Sequence, residues 1–230
     1  MSLLVGARRT LLDRSTAAAV DPTPIVLFDN SGAFLASGTS HSASITSTAT
    51  AGWTVVAWIL WGGGVGNTLS AVAGNSETWT AGTKNTSPTA NINVQSFMTI
   101  LTSDWTPAEA FTFTTSGAGA PAVVIVAYPS GIALDVNPAG SSGSGTTISQ
   151  TLTGMGTAPL YASACYSTGS NIGTFGTPAT WTLLSSVISG AFGMRVFSKA
   201  LSTSSNDTTF SVTGTSTNWT VNYRTLRSSV

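Results

Sequence analysis

Short segments with the two-residue period of β-strands follow one another along most of this 230-residue chain, and turn residues separate them. The clearest segment is residues 53–61, which is apolar at almost every position and is closed by the glycines at 62–64. A continuous apolar run of this length is typical of a strand that is buried on both faces of its sheet. The pattern therefore predicts an all-β protein with at least one strand in the deep interior.

The regular spacing of these segments predicts an antiparallel β-sandwich of jelly-roll-like type, with about ten to twelve strands. We expect a hairpin between residues 68–72 and 77–81, because Gly74 and Asn75 favour a tight turn. The Gly- and Ser-rich segment 138–145 predicts a loop. The remaining strands are expected at 41–48, 92–101, 110–115, 122–128, 147–153, 159–166, 180–187, 191–199, 208–213 and 218–226, and a brief strand-like run lies at 25–28.

The first 36 residues differ from the rest and are interpreted as an N-terminal arm, extended or with a short helix, ahead of a sandwich domain at 37–230. Aliphatic residues near its start allow a short amphipathic helix, and the prolines at 22 and 24 block its continuation. Because so short an arm cannot bury its own leucines, we expect it to pack on the main domain or insert into a neighbouring subunit. The candidate anchoring residues are Leu3, Leu4, Arg8, Arg9, Leu11, Leu12 and Arg14.

Side chains able to do chemistry are scarce. Eight acidic and eight basic residues give a net charge of zero, beside about 70 Ser and Thr, whereas roughly a quarter of the residues in ordinary domains are charged. A neutral chain offers no field for nucleic acid. A signal peptide and a membrane-spanning helix are not expected.

The single His41 is interpreted as an exposed strand-end residue and the single Cys165 as a buried thiol. One histidine and one cysteine exclude metal sites built on those ligands, and we expect no metal and no cofactor. A calcium ion held by loop carbonyls stays open. Glu77, Glu109 and Asp135 each lie at a strand start or turn and are interpreted as solvated ends or local caps rather than as a glycosidase pair, so the sequence predicts that the protein is not an enzyme.

The seven tryptophans raise the alternative of a carbohydrate-binding surface. Trp53, Trp58 and Trp61 lie in the apolar run, and at least two of them are expected in the core. Strand alternation in the Thr-Trp-Thr segments places the Trp inward and the hydroxyls outward. Trp105, in the polar segment 103–107, is expected on a loop and is the candidate glycan contact.

Three segments carry a resemblance to a known family: residues 69–80 (LSAVAGNSETWT), 123–136 (VVIVAYPSGIALDV) and 219–223 (WTVNY). Together they resemble jelly-roll modules in structural proteins of tailed bacteriophages, of the minor tail or surface-decorating type. A proline at position 129 departs from the family's turn.

The resemblance implies a virion protein assembled in the host cytoplasm, in contact with other tail or capsid proteins and forming a homo-oligomer, for which a trimer is expected by analogy. The alternatives are a capsid decoration or fibre protein, or a carbohydrate-binding module that recognises a host surface glycan. Tail and capsid locations stay open.

Overall fold

The computed structural model describes residues 23–30, 33–87, 92–129, 132–134, 139–152, 159–190, 192–201 and 208–228. These residues form β-strands and a single 3-10 turn at Ile172–Thr174, and no α-helix is found among them. The expected all-β, antiparallel sandwich is confirmed. In chain order the fifteen strands are β1 (Ile25–Asp29), β2 (Gly38–Ser44), β3 (Thr54–Trp61), β4 (Leu69–Gly74), β5 (Thr80–Ala81), β6 (Asn85–Thr86), β7 (Asn93–Ile100), β8 (Ala110–Gly119), β9 (Ala122–Tyr128), β10 (Ile132–Leu134), β11 (Ala139–Leu152), β12 (Pro159–Thr168), β13 (Thr182–Ser189), β14 (Phe192–Ala200) and β15 (Thr208–Ser228).

The strands form three antiparallel sheets. Sheet I has the order β1-β9-β3-β7, with the short β5 and β6 both pairing with the outer side of β7. Sheet II has the order β13-β14-β12-β15, with β10 and β11 on the far side of β15. Sheet III contains β2, β8 and β4, with β8 in the middle. Sheet I lies between the other two, so its strands need apolar residues on both faces.

Strand β3 shows why the long apolar run has to be central. Its odd-numbered residues from Val55 to Trp61 belong to one buried cluster with Phe111 of sheet III. Its even-numbered residues from Val56 to Leu60 belong to a second cluster, which includes core residues of sheet II. Every residue of β3 is buried, so the prediction of a strand enclosed on both faces is confirmed. Burial of each such large side chain stabilises the fold by roughly 1.5–3 kcal/mol.

Sheet II is covered on its other face by a ribbon of its own strands. The first part of β15 pairs only with β11, and the register of this pair shifts between Gly145 and Thr147. Gly145 has a φ of +131°, a conformation that only glycine adopts without strain, and the ribbon bends at this shift. Phe210 of the ribbon thereby packs edge-on against Tyr166 and Phe197, with ring centroids 5.8 and 5.5 Å apart.

Two local expectations are wrong. Strands β4 and β5 do not form a hairpin, because β4 pairs with β8 in sheet III and β5 pairs with β7 in sheet I. The turn at Gly74 and Asn75 therefore joins two sheets. Residues 139–145 of the Gly- and Ser-rich segment 138–145 are not a loop, since β11 begins at Ala139 and pairs with β15; residue 138 lies outside the described residues.

The folded unit begins before residue 37. Strand β1 pairs with β9 along sheet I, with Ile25 opposite Ala127 and Asp29 opposite Val124, and its Leu27 is completely buried. Residues 25–29 are thus part of the sandwich and not of the arm, because their backbone completes the ladder at the edge of sheet I. This corrects the expected boundary at residue 36.

Candidate assembly surfaces

His41 is buried, which corrects the expectation of an exposed strand end. It is the fourth residue of β2, and alternation turns its side chain inward together with that of Ala43. The ring stacks on Phe113 with centroids 5.0 Å apart, and Nε2 lies 3.1 Å from Thr115 Oγ1. Burial disfavours the charged form and lowers the pKa of His41, which makes this ring a packing element of sheet III.

Cys165 is completely buried, as the sequence predicts. Its Sγ lies 3.9 Å from Met194 Sδ in the cluster between sheets I and II. Burial raises the pKa of the Cys165 thiol, because a thiolate would have no water to solvate it. The Cys165 thiol therefore packs as a small apolar side chain and is not in a position to act as a nucleophile.

The described carboxylates hold local structure together. Glu77 accepts a hydrogen bond of 2.8 Å from the Thr102 hydroxyl, and Asp104 accepts one of 2.8 Å from the backbone N–H of Ala51. Glu109 accepts bonds from the backbone N–H and the hydroxyl of Thr106, and these bonds lower the pKa of Glu109. The described part of the chain contains no cluster of three or more His, Cys, Asp or Glu side chains that could hold a metal ion.

Trp105 is completely buried, so the expectation that it presents its ring on a loop is wrong. Its backbone exchanges two hydrogen bonds with Ala49, of 2.8 and 2.9 Å, and its ring meets Trp79 edge-on at 5.9 Å. This pairing pulls the segment inward beneath sheet III, so the ring is closed off from a sugar. The expected core positions of Trp58 and Trp61 are confirmed.

A buried guanidinium was missed by the sequence interpretation. Arg224 of β15 is 0% exposed; its Nε donates to Ser96 Oγ at 2.7 Å, and its Nη2 donates to the backbone oxygens of Ser96 and Thr80, both at 3.1 Å. All three acceptors are neutral, and burial lowers the pKa of Arg224 to about 10. Asn222, two residues earlier, donates to the Val94 carbonyl at 2.9 Å. The two side chains link sheet II to sheet I. In the sequence, the polar residues 222 and 224 alternate with Val221 and Tyr223, and this alternation was the signal that could have indicated them.

The candidate anchoring residues Leu3, Leu4, Arg8, Arg9, Leu11, Leu12 and Arg14 lie outside the described residues. Thr23, the first residue that the structure describes, lines a groove of about 180 Å³. The groove also takes in Pro24, Tyr161, Leu184 and Ala200, and all of its lining residues are uncharged.

The groove lies where the edge strands β1 and β13 come together, and we call this region the β1–β13 edge. The Asp29 carboxylate accepts a hydrogen bond of 2.8 Å from the Ser185 hydroxyl and ties the two strands to each other. Ile25 is 37% exposed and Leu183 is 40% exposed. They are two of the four large hydrophobic side chains exposed in the described residues.

A second surface is the 62–67 loop, which connects β3 in sheet I to β4 in sheet III. Its conformation depends on Asn67, whose Nδ2 donates to the Gly62 carbonyl at 2.9 Å and whose Oδ1 accepts from Ser116 Oγ at 2.8 Å. Gly63 has a φ of +104°, and a Cβ at this position would overlap the Asn67 amide. The glycines therefore let the backbone wrap around one asparagine side chain.

Two more side chains hold the 62–67 loop from outside. Lys84 Nζ donates to the carbonyls of Val65 at 2.7 Å and Asn67 at 3.0 Å, and Asn93 Nδ2 donates to the Gly64 carbonyl at 3.0 Å. At the tip, Val65 is 69% exposed, more than any other large hydrophobic side chain described. The 62–67 loop therefore has a backbone held by hydrogen bonds and an exposed aliphatic side chain at its tip. In the sequence, the sign of this feature was a single valine among glycines.

These features define an all-β protein of three stacked antiparallel sheets, with buried polar links between sheets and two apolar surface features. Comparison with protein-family models, curated proteins and solved structures finds no match for this chain. Among the described residues, no helix has the length and apolar character needed to cross a bilayer.

Proposed function

We propose that this chain is a non-enzymatic structural component of a tailed-bacteriophage virion, of the minor tail type. In this role the N-terminal arm anchors the chain to other virion proteins and the sandwich is displayed on the particle. The proposal rests on one observation: the side chains that could take part in chemistry are used for packing and capping instead. His41, Cys165 and Arg224 are buried, and Glu77 and Glu109 cap neighbouring threonines.

The attachment point of the arm supports an anchoring role. Thr23 and Pro24, the first described residues, line the groove at the β1–β13 edge, so the arm is attached beside that groove. Pro22 and Pro24 fix their own φ and disfavour helical backbone at the residues before them, so a helix in the arm is not expected to run on into β1. An arm attached outside the strands can contact a neighbouring protein while the sandwich stays folded.

The test is incorporation of an armless chain into particles. We expect a chain lacking residues 1–22 to fold with an unchanged melting temperature and to be missing from purified virions. Replacing Leu11 and Leu12 by serine in the full chain should reduce incorporation, whereas Ser15→Ala with Thr16→Ala, the matched control, should not. Normal incorporation of the armless chain would contradict anchoring by the arm, and labelling of the particles separates a tail location from capsid decoration or a fibre.

A second candidate is glycan binding on sheet III. Its outer face has a shallow depression of about 370 Å³ lined by the hydroxyl residues Ser40, Ser42, Thr112 and Thr114, beside Ala71. Uncharged hydroxyl donors and acceptors suit a neutral sugar. A glycan array with the parent chain tests this candidate, and Thr112→Val with Thr114→Val should abolish any signal. An array without signal would remove the candidate.

A further inference from the structure

We propose that His41 and Thr115 form a proton-operated switch that sets how firmly the 62–67 loop is held. The two side chains meet on the buried face of sheet III, where His41 Nε2 lies 3.1 Å from Thr115 Oγ1. From Thr115, a series of hydrogen bonds leads to the loop at the surface. This switch does not depend on the proposed virion role.

A bulge in β8 forms the first part of the connection. Thr114 pairs with Ser40 and Gly119 pairs with Gly38, so residues 115–118 have a single residue of β2 opposite them. Thr115 Oγ1 donates to the Gly117 carbonyl at 2.8 Å and closes this bulge on itself. The shape of the bulge therefore depends on where the Thr115 hydroxyl points.

The loop rests on the same bulge. Ser116 Oγ donates to Asn67 Oδ1 at 2.8 Å, and a Cβ at Gly117 would overlap the Asn67 amide. Asn67 in turn donates to the Gly62 carbonyl at 2.9 Å. A change at the bulge is thus transmitted through one asparagine to the loop that presents Val65.

The hydrogen atoms around a neutral His41 ring are one too few. A neutral imidazole has one N–H and the Thr115 hydroxyl has one O–H. Three contacts require them: the ring with the backbone carbonyls of Ala36 and Gly38, Nε2 with Thr115 Oγ1, and Thr115 Oγ1 with the Gly117 carbonyl. A neutral ring therefore leaves either the first or the last of these contacts without its hydrogen.

A second proton on the ring removes this shortage. Solvent supplies the proton, Nε2–H donates to Thr115 Oγ1, and the hydroxyl hydrogen turns to the Gly117 carbonyl; the only bond formed is the new N–H. The bulge is then closed and the loop is held more firmly. Burial lowers the pKa of His41, so the ring takes up this proton below pH about 6.5.

His41 is the group around which charge can appear between sheets I and III. The strands β2, β3, β4, β7 and β8 contain no acidic or basic residue other than His41. On β9 and β1 the titratable residues are Tyr128, which lies in the cluster toward sheet II, and Asp29, which bonds to sheet II. Lys84 and Glu109, in adjoining segments, bond to loop carbonyls and to a nearby threonine.

An NMR titration of the full-length chain between pH 7.5 and 5 tests the switch. The Gly117 carbonyl carbon responds to the hydrogen bond that its oxygen accepts, and we expect its resonance to move downfield with the same midpoint as the His41 ring. In Thr115→Val the ring should still titrate without this movement, and Thr115→Ser should restore it. Thr114→Val, on the outer face of β8, is the matched control and should behave like the parent.

Hydrogen exchange in the same samples shows whether the loop follows. After correction for the intrinsic effect of pH, we expect the Ser116 and Asn67 amides to exchange about twofold to tenfold more slowly with a protonated ring, as one added hydrogen bond implies. In His41→Gln and Thr115→Val this protection should not change with pH. A Gly117 resonance that does not follow the ring, or loop protection that changes in Thr115→Val as in the parent, would overturn the inference.

Discussion

Single buried polar residues set how the sheets of this protein meet. Arg224 and Asn222 cross from β15 to β7, where they donate to the Ser96 hydroxyl and to backbone carbonyls. A buried charge without hydrogen bonds is strongly destabilising, so each of these bonds restricts how sheet II can sit on sheet I. Polar residues in the core thus fix alignment, while the apolar residues around them provide most of the stabilisation.

Arg224→Met tests this link. The change retains much of the side-chain volume and leaves the Ser96 hydroxyl and two carbonyls without their donor, so we expect a loss of about 2–4 kcal/mol in the free energy of unfolding. Urea denaturation followed by tryptophan fluorescence measures it. Lys199→Met is the control, since this lysine contacts the Trp181 ring, and it should cost less than about 1 kcal/mol. Equal losses in the two variants would contradict the role given to Arg224.

His41 makes stability depend on pH. Its pKa is lowered in the folded chain, so the unfolded chain binds the proton more readily and protonation favours unfolding. The contribution of His41 is complete above its unfolded pKa of about 6.5 and is lost as the pH falls toward the folded value, by at most about 1.4 kcal/mol per pH unit. Denaturation midpoints between pH 5 and 7.5 should show this decline, and His41→Gln should flatten it. A parent curve that is flat over this range would contradict the assignment.

At the scale of elements, strands were predictable where their own residues determine burial. The runs that became β3 and β9 are apolar throughout, and such runs are stable only between two covering layers. Segment 139–145 has no apolar signal, and it is a strand because β15 lies beside it. The turn after β4 was misjudged for a similar reason: local residues predict a turn, but the sheet that each flanking strand joins depends on distant partners.

The surfaces were less predictable than the strands. Trp105 sits in a polar segment whose residues favour a loop, and its burial follows from backbone pairing with Ala49, more than 50 residues away. The 62–67 loop was noticed for its glycines alone. Lys84, Asn93 and Ser116 come from other elements, so their convergence on it appears only in three dimensions.

The glycines of the 62–67 loop are not equivalent. Gly63→Ala forces a strained φ and overlaps the Asn67 amide, so we expect a loss of at least about 1 kcal/mol in unfolding free energy and faster hydrogen exchange in the loop. Gly66→Ala is the matched control, because a Cβ at Gly66 has no other atom within 4 Å; it should change stability by less than about 0.5 kcal/mol. Similar exchange rates in the two variants would mean that Asn67 does not hold the loop.

At the scale of the whole molecule, three stacked sheets require their outermost strands to be present. Removing residues 1–22 leaves every described strand intact, whereas removing residues 1–36 deletes β1, uncovers the edge of β9 and takes Leu27 out of the core. We expect the shorter deletion to melt like the parent and the longer one to lose at least about 3 kcal/mol or to aggregate through the uncovered edge. Calorimetry and light scattering compare them, and equal stability would place β1 outside the cooperative unit.

Strand β15 has a mechanical consequence. Over residues 219–223 it is hydrogen-bonded to β12 on one side and to β11 on the other, and it ends near the C-terminus of the chain. A pull on that terminus directed along the strand loads these bonds in shear, so they must rupture together instead of opening one by one. If the chain is held at its N-terminal end and pulled from its C-terminal end, we expect β15 to be the strand that resists the force.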